Sequence, residues 1–273
     1  MVRPSLAASA LTVVVLTKNE ETRLARCVAA IPVAYPVVVV DSGSLDGTLA
    51  VARAAGCVVA ENPWPGFAAQ RNFALEACGI VSPWVLFVDA DEVYPPAFFA
   101  WFEGGARFRD DFDVATVASR LVFKWVELRY APGYPFYHPR LVRREGARFV
   151  PSYSGHGETV AAGARLISVD IPYRHYFYDG DLAAWMHKHI GLAMQEAFVS
   201  AAPEGHLTAR ARLTLIFCRL PLRSVARFLY HFLVRGGFRD GRAGLDYALM
   251  YAWYESTKAL IRAAGRPPGI LRP

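Results

Sequence analysis

An α/β fold with a mostly parallel sheet is what this chain predicts, extended by a mixed region and closed by C-terminal helices. Three observations carry that expectation. Short apolar runs alternate with helical patterns through the first half. The runs are continuous rather than alternating, as in strands buried on both faces. The polar residues that follow them fall at the strands' carboxyl ends, where such sheets bind ligands.

The elements follow in order. "LTVVVL" (Leu11–Leu16) reads as the first strand, leading into a helix from about Glu20 to Ala30. The opening "MVRPSLAASALTVVVL" could pass for a signal peptide, but it has no clean cleavage site and runs directly into "TKNEE". We expect it to be part of the fold. "PVVVVD" (Pro36–Asp41) is the second strand, followed by a helical stretch with Ser44 as expected N-cap and Gly56 as its stop. "CVVA" (Cys57–Ala60), a helix near Phe67–Cys78, and "PWVLFVD" (Pro83–Asp89) complete the alternation. From about Asp113 to Tyr173 the segments shorten into a mixed extension. Helices are then expected near Asp181–Ser200, from about Thr208 to Val234, and from about Ala243 to Ala264.

The 273 residues suffice for one large domain or a domain with an appendage. We divide them into residues 1–202, with halves of about 1–112 and 113–202, and a basic helical segment 203–273. The net charge is +6, and 12 basic against 4 acidic residues place it after Ala202. That asymmetry suggests an anionic partner. Cys27, Cys57, Cys78 and Cys218 form no CxxC pair, which points to reduced thiols and a cytoplasmic setting. No uncharged apolar run reaches the length of a spanning helix.

Several chemistries are absent. "TKNEE" stands where a GxGxxG turn would follow the first strand, and there is no P-loop. The informative stretch is "LFVDADEVYPP", where Asp89, Asp91 and Glu92 crowd within four positions. Carboxylates at a strand end suit Mg²⁺ or Mn²⁺, which prefer oxygen ligands and share them with phosphates. A plain alternative is a solvated acidic turn with Glu92 capping the next helix. Asp41 ends the second strand, where an acid can accept hydrogen bonds from a ribose or base. Asp46 and Gly47 open the following helix. In "FAAQRNFAL", Arg71 and Asn72 interrupt an apolar helix, and a guanidinium there can pair with carboxylates or phosphate.

"VVVLTKNEE", "VVVVDSGSLDGT", "GFAAQRNFAL" and "WVLFVDADE", in this order and spacing, resemble family-two glycosyltransferases of GT-A (Rossmann-like) fold. Later pieces such as "PRLVRREGARF" and "YRHYFYDGDLAAWMHKH" are similar to the bacterial lipopolysaccharide-core β-glycosyltransferases. The resemblance implies a hexosyltransferase-like enzyme that moves a sugar, with inversion, from a nucleotide diphosphate sugar to a lipid-linked saccharide in cell-envelope glycan synthesis. Carried over residue by residue, Thr17, Asn19, Glu20, Asp41 and Asp46 line the nucleotide pocket and Arg71 helps hold the phosphates. Asp89 contacts ribose or metal and Asp91 ligates the metal. An inverting transfer needs one base near the acceptor. Glu158 in "SGHGETV" is its expected position, with His156 orienting it or contacting the acceptor, although Gly157 separates two residues that relatives tend to keep adjacent. Asp179 and Asp181 are the fallback, and His175 is expected on the acceptor side.

In the basic segment, Arg212, Arg219, Arg223 and Arg227 share one arc of a helical wheel, and Phe217, Leu222, Val225, Phe228, Leu229 and Phe232 lie away from it. That pattern suggests a helix on the cytoplasmic face of the inner membrane, with arginines reaching anionic headgroups. The aromatics of "LDYALMYAWY" add to the expectation. No nucleic-acid motif accompanies the charge. Rival readings are a polyprenyl-phosphate glycosyltransferase, a nucleotidyltransferase and a non-catalytic nucleotide-sugar-binding membrane protein.

Overall fold

The computed structural model describes residues 3–6, 9–151, 158–197 and 222–265. Two compact units divide the chain. The first holds Met1–Leu121, Pro135–Ser152 and Gly157–Phe177, and the second holds Val122–Tyr134, Tyr153–His156 and Tyr178–Pro273.

In the first unit, β1 (Leu11–Thr17), α1 (Glu21–Ala29), β2 (Val37–Asp41), α2 (Thr48–Ala54), β3 (Val58–Glu61), α3 (Phe67–Ala77) and β4 (Trp84–Asp89) follow the expected alternation. The first helix after β2 starts at Thr48, not near Ser44, whose hydroxyl is drawn to Asp41 instead. β5 (Glu92–Val93), α4 (Pro96–Glu103), β6 (Val114–Phe123), β7 (Val126–Glu127), β8 (Phe136–Arg143), β9 (Phe149–Pro151), β10 (Glu158–Val160) and β11 (Leu166–Tyr178) come next.

The sheet runs β3-β2-β1-β4-β8-β6-β11-β5. β3, β2, β1 and β4 are parallel, and β8 turns the order antiparallel. β1 is buried along its whole length because both faces are covered. Val13, Val15, Val39 and Leu86 pack with Leu24, Cys27, Phe98 and Phe102 on one side. Val14, Leu16, Val38 and Phe87 pack with Ala68, Ala74 and Phe149 on the other. This is the period of two expected of strands, expressed as two apolar layers.

Only Ala90 and Asp91 separate β4 from β5, yet β5 is the far edge of the sheet. Three Cα–Cα steps span roughly 10 Å. The sheet must therefore curl until its far edge returns to the tip of β4. β11 accompanies β5, with His175 opposite Glu92 in register.

The second unit contains the hairpin from the end of β6 to β7, with Lys124 and Trp125 in its turn, both at positive φ. It also contains α5 (Leu182–Ala197), α6 (Arg223–Leu229), a π-helical turn at Tyr230–Val234, and α7 (Gly241–Ala264). Two sequence expectations are corrected here. Arg223 does not face outward: it is buried and paired with Glu255 of α7. A wheel places residues on an arc without saying which way the arc turns, and Glu255 decides it. Likewise Tyr247 and Tyr254 of "LDYALMYAWY" are buried, against His231 and His189 respectively. Arg212 and Arg219 lie outside the described residues.

Asp240, just ahead of α7, accepts the backbone N–H groups of Arg129, Tyr130 and Ala131 at 2.9, 2.9 and 2.8 Å. Asp240→Ala leaves those three donors without their acceptor. We expect a loss of about 2 kcal/mol, read as a lower urea midpoint at unchanged slope, with Asp240→Asn retaining part of the stability.

Candidate functional site

The loops after β1 and β2 are built on each other. Asp41 is fully buried, and its carboxylate takes four local donors. Oδ1 accepts the hydroxyls of Thr17 (3.0 Å) and Ser44 (2.5 Å), and Oδ2 accepts the backbone N–H groups of Gly43 (2.9 Å) and Ser44 (2.7 Å). Gly43 sits at φ +84°, a conformation that a residue without Cβ adopts freely. Asn19 crosses between the loops: its N–H donates to the Ser44 hydroxyl and its side-chain oxygen accepts from Leu45 N–H, both at 2.8 Å. Glu20 N–H donates to Thr48 Oγ1 at 2.8 Å, and Glu21 N–H to Asp46 at 3.2 Å. Slight burial pushes the Asp46 carboxyl up, but the Thr48 hydroxyl and backbone N–H hold it below the usual carboxylate range. Thr17, Asn19, Glu20, Asp41 and Asp46 are thus gathered at one sheet edge, with Asp41 fixing its own turn.

At the tip of β4 lies a cluster of two buried guanidiniums and three carboxylates, of which Glu92 is buried and Asp89 keeps 24% of its side chain exposed. Arg71 of α3 is fully buried and reaches Asp89 Oδ1 at 3.1 Å and Glu158 Oε1 at 3.0 Å. Arg140 of β8 reaches Asp89 Oδ2 at 2.8 Å, Glu158 Oε1 at 3.0 Å and Glu92 Oε1 at 2.6 Å. Asp89 N–H closes the loop onto Glu92 Oε2 at 3.2 Å. The guanidinium carbon of Arg71 stands over the rings of Phe87 and Phe149, and that of Arg140 over Tyr173. Burial drives the Asp89 carboxyl up, but Arg140 and Arg71 outweigh it and leave its pKa lowered. Glu92 does not cap the following helix; it is buried beneath Arg140.

Asp91 points to a different partner. Its Oδ2 lies 3.3 Å from His175 Nε2, brought there by the pairing of β11 with β5. Burial lowers the His175 pKa, yet Asp91, together with Glu92 and Asp89, outweighs this and raises it. His138 on β8 behaves oppositely: burial and then Arg140 push it down to about 3. A carboxylate neighbour and a guanidinium neighbour make two histidines of one site differ. Asp91 and His175 are an O/N donor pair of the kind that holds a divalent ion. Among the described residues no three His, Cys, Asp or Glu side chains converge as a cage. An ion here would complete its shell from water and phosphate, as Mg²⁺ and Mn²⁺ do.

Three consecutive residues of α3 tie these parts together. Gln70 Nε2 donates to Ser42 Oγ at 3.1 Å and to Asn62 O at 3.2 Å. Arg71 holds Asp89 and Glu158. Asn72 pairs with the backbone of Phe149 in both directions at 2.9 Å, docking β9 and its partner β10.

The structure therefore brings Asp89, Arg71 and Glu158 into contact and sets Asp91 against His175. His156 lies outside the described residues. Arg140 and Glu92 are the members that sequence reasoning missed. The available signal was Arg140 inside the otherwise apolar strand "PRLV".

A family model described as Glycosyl transferase family 2 matches residues 12–168. An uncharacterized glycosyltransferase of Rickettsia conorii is 44% identical over 79 residues, 29% of this chain and 27% of that protein. The lipopolysaccharide core biosynthesis glycosyltransferase LpsC of Rhizobium meliloti is 39% identical over 87 residues, 30% of this chain and 32% of its own. The matched part is thus a third or less of each of these curated relatives. Among solved structures, mannosyltransferase PcManGT from Pyrobaculum calidifontis, in complex with GDP-Man and Mn2+, gives a TM-score of 0.57 at 18% identity, covering 97% of this chain and 90% of that one. That likeness is one of fold, the GT-A fold.

Arg140→Met strips the cluster of one guanidinium and leaves Glu92 buried without its cation. We expect a loss of about 3–5 kcal/mol in urea unfolding. Adding Glu92→Leu to Arg140→Met should recover part of that loss, the coupling being read from the double-mutant cycle.

Proposed function

The chain belongs to glycosyl transferase family 2, and from that premise we propose that it is a metal-dependent, inverting enzyme using a nucleotide diphosphate sugar. The observation that carries this reading is the convergence of the β1, β2 and β4 tips on one edge, with Asp91 facing His175 at 3.3 Å. Thr17, Asn19, Glu20, Asp41 and Asp46 shape the nucleoside end of the pocket. Asp89 stands between that end and the cation, positioned by Arg71 and Arg140.

Asp91 and His175 would hold Mg²⁺ or Mn²⁺. When bound, such an ion neutralises charge on the departing diphosphate. Arg71 contributes a second cationic group: its Nη1 is buried with no partner among the described residues, a donor suited to a phosphate oxygen. In the transfer, an acceptor hydroxyl oxygen bonds to the anomeric carbon from the face opposite the diphosphate. The bond to the diphosphate oxygen breaks, the leaving group takes the electron pair, and the hydroxyl proton passes to a carboxylate. Glu158 is our candidate for that base. Its bonds to Arg71 and Arg140 all fall on Oε1, which leaves Oε2 to receive the proton.

The acceptor we propose is a lipid-linked saccharide in the cell envelope, met at the cytoplasmic face of the inner membrane. Similarity to LpsC over the matched region supports this. The basic C-terminal quarter supports a peripheral site of action.

The decisive experiment is a panel of nucleotide sugars screened by thermal shift with and without Mn²⁺, since a ligand selective for the native state raises Tm. A donor that stabilises only with metal is the expected result; no metal-dependent shift with any donor would overturn the reading. Asp91→Asn and His175→Ala should each abolish the metal-dependent shift while leaving the unliganded Tm within a few degrees. Glu158→Gln should keep donor binding and lose turnover by about two orders of magnitude or more.

A further inference from the structure

The helix α6 and the π turn after it are built inside out. On the inner side, Arg223 donates from Nε to Glu255 Oε2 at 3.0 Å. Lys258 bridges Glu255 Oε1 and Glu196, both at 2.9 Å. Ser224 and Ser256 pair at 2.7 Å. Arg223, Glu255, Lys258 and Glu196 thus neutralise one another inside the second unit.

The outer side is apolar. Leu222, Val225, Leu229 and Leu233 recur at helical spacing and are 69%, 52%, 42% and 53% exposed. Val234 and Phe238 continue the surface at 74% and 55%. A helix in water hides its apolar stripe and shows its charges. Six large apolar side chains exposed between Leu222 and Phe238 mark a surface made for another phase or partner.

Charge identifies the partner. Arg239 and Arg242 are exposed beside the apolar surface in sequence, and residues 222–265 carry seven basic and three acidic groups. Arg223 and Lys258 are neutralised within the unit and Arg242 pairs with Asp246 at 2.8 Å, so the exposed positive charge beside the stripe is carried foremost by Arg239, with Arg242 able to exchange its partner for an anionic headgroup. No helix among the described residues is long and apolar enough to cross a membrane. A short apolar stripe with adjacent arginines suits a helix lying in the headgroup boundary.

We infer that Leu222, Val225, Leu229, Leu233, Val234 and Phe238 form the surface by which the second unit docks onto an anionic lipid bilayer. This gives the membrane partner of the proposed function its contact face and rests on that reading for its purpose, though not for its physics. The arrangement reverses the one the arginine arc suggests: the apolar residues insert, and the exposed Arg239 and Arg242 meet headgroups beside them.

The test is co-sedimentation of the full chain with vesicles of phosphatidylcholine alone and of phosphatidylcholine containing roughly a third phosphatidylglycerol. Wild type should bind the anionic vesicles. Leu229→Glu/Leu233→Glu should lower that binding about tenfold or more, with Tm in buffer unchanged. The milder Val234→Gln should lower it less, and Arg239→Gln/Arg242→Gln should weaken only the anionic arm. Equal binding by wild type and the double glutamate variant overturns the proposal. So does a marked fall in Tm of that variant without vesicles, which means the face is covered within the chain. A wild-type dimer that the variant splits, with no vesicle binding, assigns the face to a second copy instead. The metal-dependent donor shift is measured on the same variants. Its persistence when vesicle binding is lost separates this surface from the transfer reading.

Discussion

The first unit is organised around a buried electrostatic balance in which two guanidiniums, Arg71 and Arg140, hold three carboxylates, Asp89, Glu92 and Glu158. Removing charges from water costs several kcal/mol per ion, and attraction offsets this only when hydrogen bonds saturate the groups. Here nearly every contact is a direct bond of 2.6–3.2 Å, and aromatic faces fill the space beneath the guanidiniums. The cluster joins α3, β4, β5, β8 and β10. Its members come from segments that no local pattern brings together, so the topology around the β4 tip and the ionisation of Asp89 are settled by the same contacts.

With Asp89 and Glu92 already answered by arginines, the remaining acid of the turn faces His175. The two-residue link between β4 and β5 forces the sheet to curl and delivers β11 there. The loops after β1 and β2 are held in another way, by side chains that bond to one another's backbone. Asp41 takes three donors from its own turn and a fourth from Thr17 of β1, so the two loops are fixed against each other. Preformed loops of this kind reduce the ordering cost of binding.

How much of this could be read from the chain depended on range. β1, β2, β4 and α3 were legible because period and capping are local properties. The gathering of Thr17, Asn19, Asp41 and Asp89 at one edge followed from parallel strands ending in step. Arg140 was not legible, since its partners Asp89 and Glu92 lie about fifty residues earlier and meet it only through the β4–β8 pairing. The pairing of His175 with Asp91 was not legible either, because it comes from the non-local β11–β5 pairing. Arg223 illustrates a separate limit. Helical spacing defines a face, but Glu255 on another helix determines that this face turns inward.

α3 occupies a particular mechanical position. Successive residues on a helix project about 100° apart. Gln70, Arg71 and Asn72 therefore leave the axis in three directions, toward the β2 turn, the acid cluster and the β9 strand. Such a helix is an axle fixed by three spokes. A one-residue insertion ahead of Gln70 would rotate all three attachments together, so the segment tolerates changes of side chain far better than changes of phase.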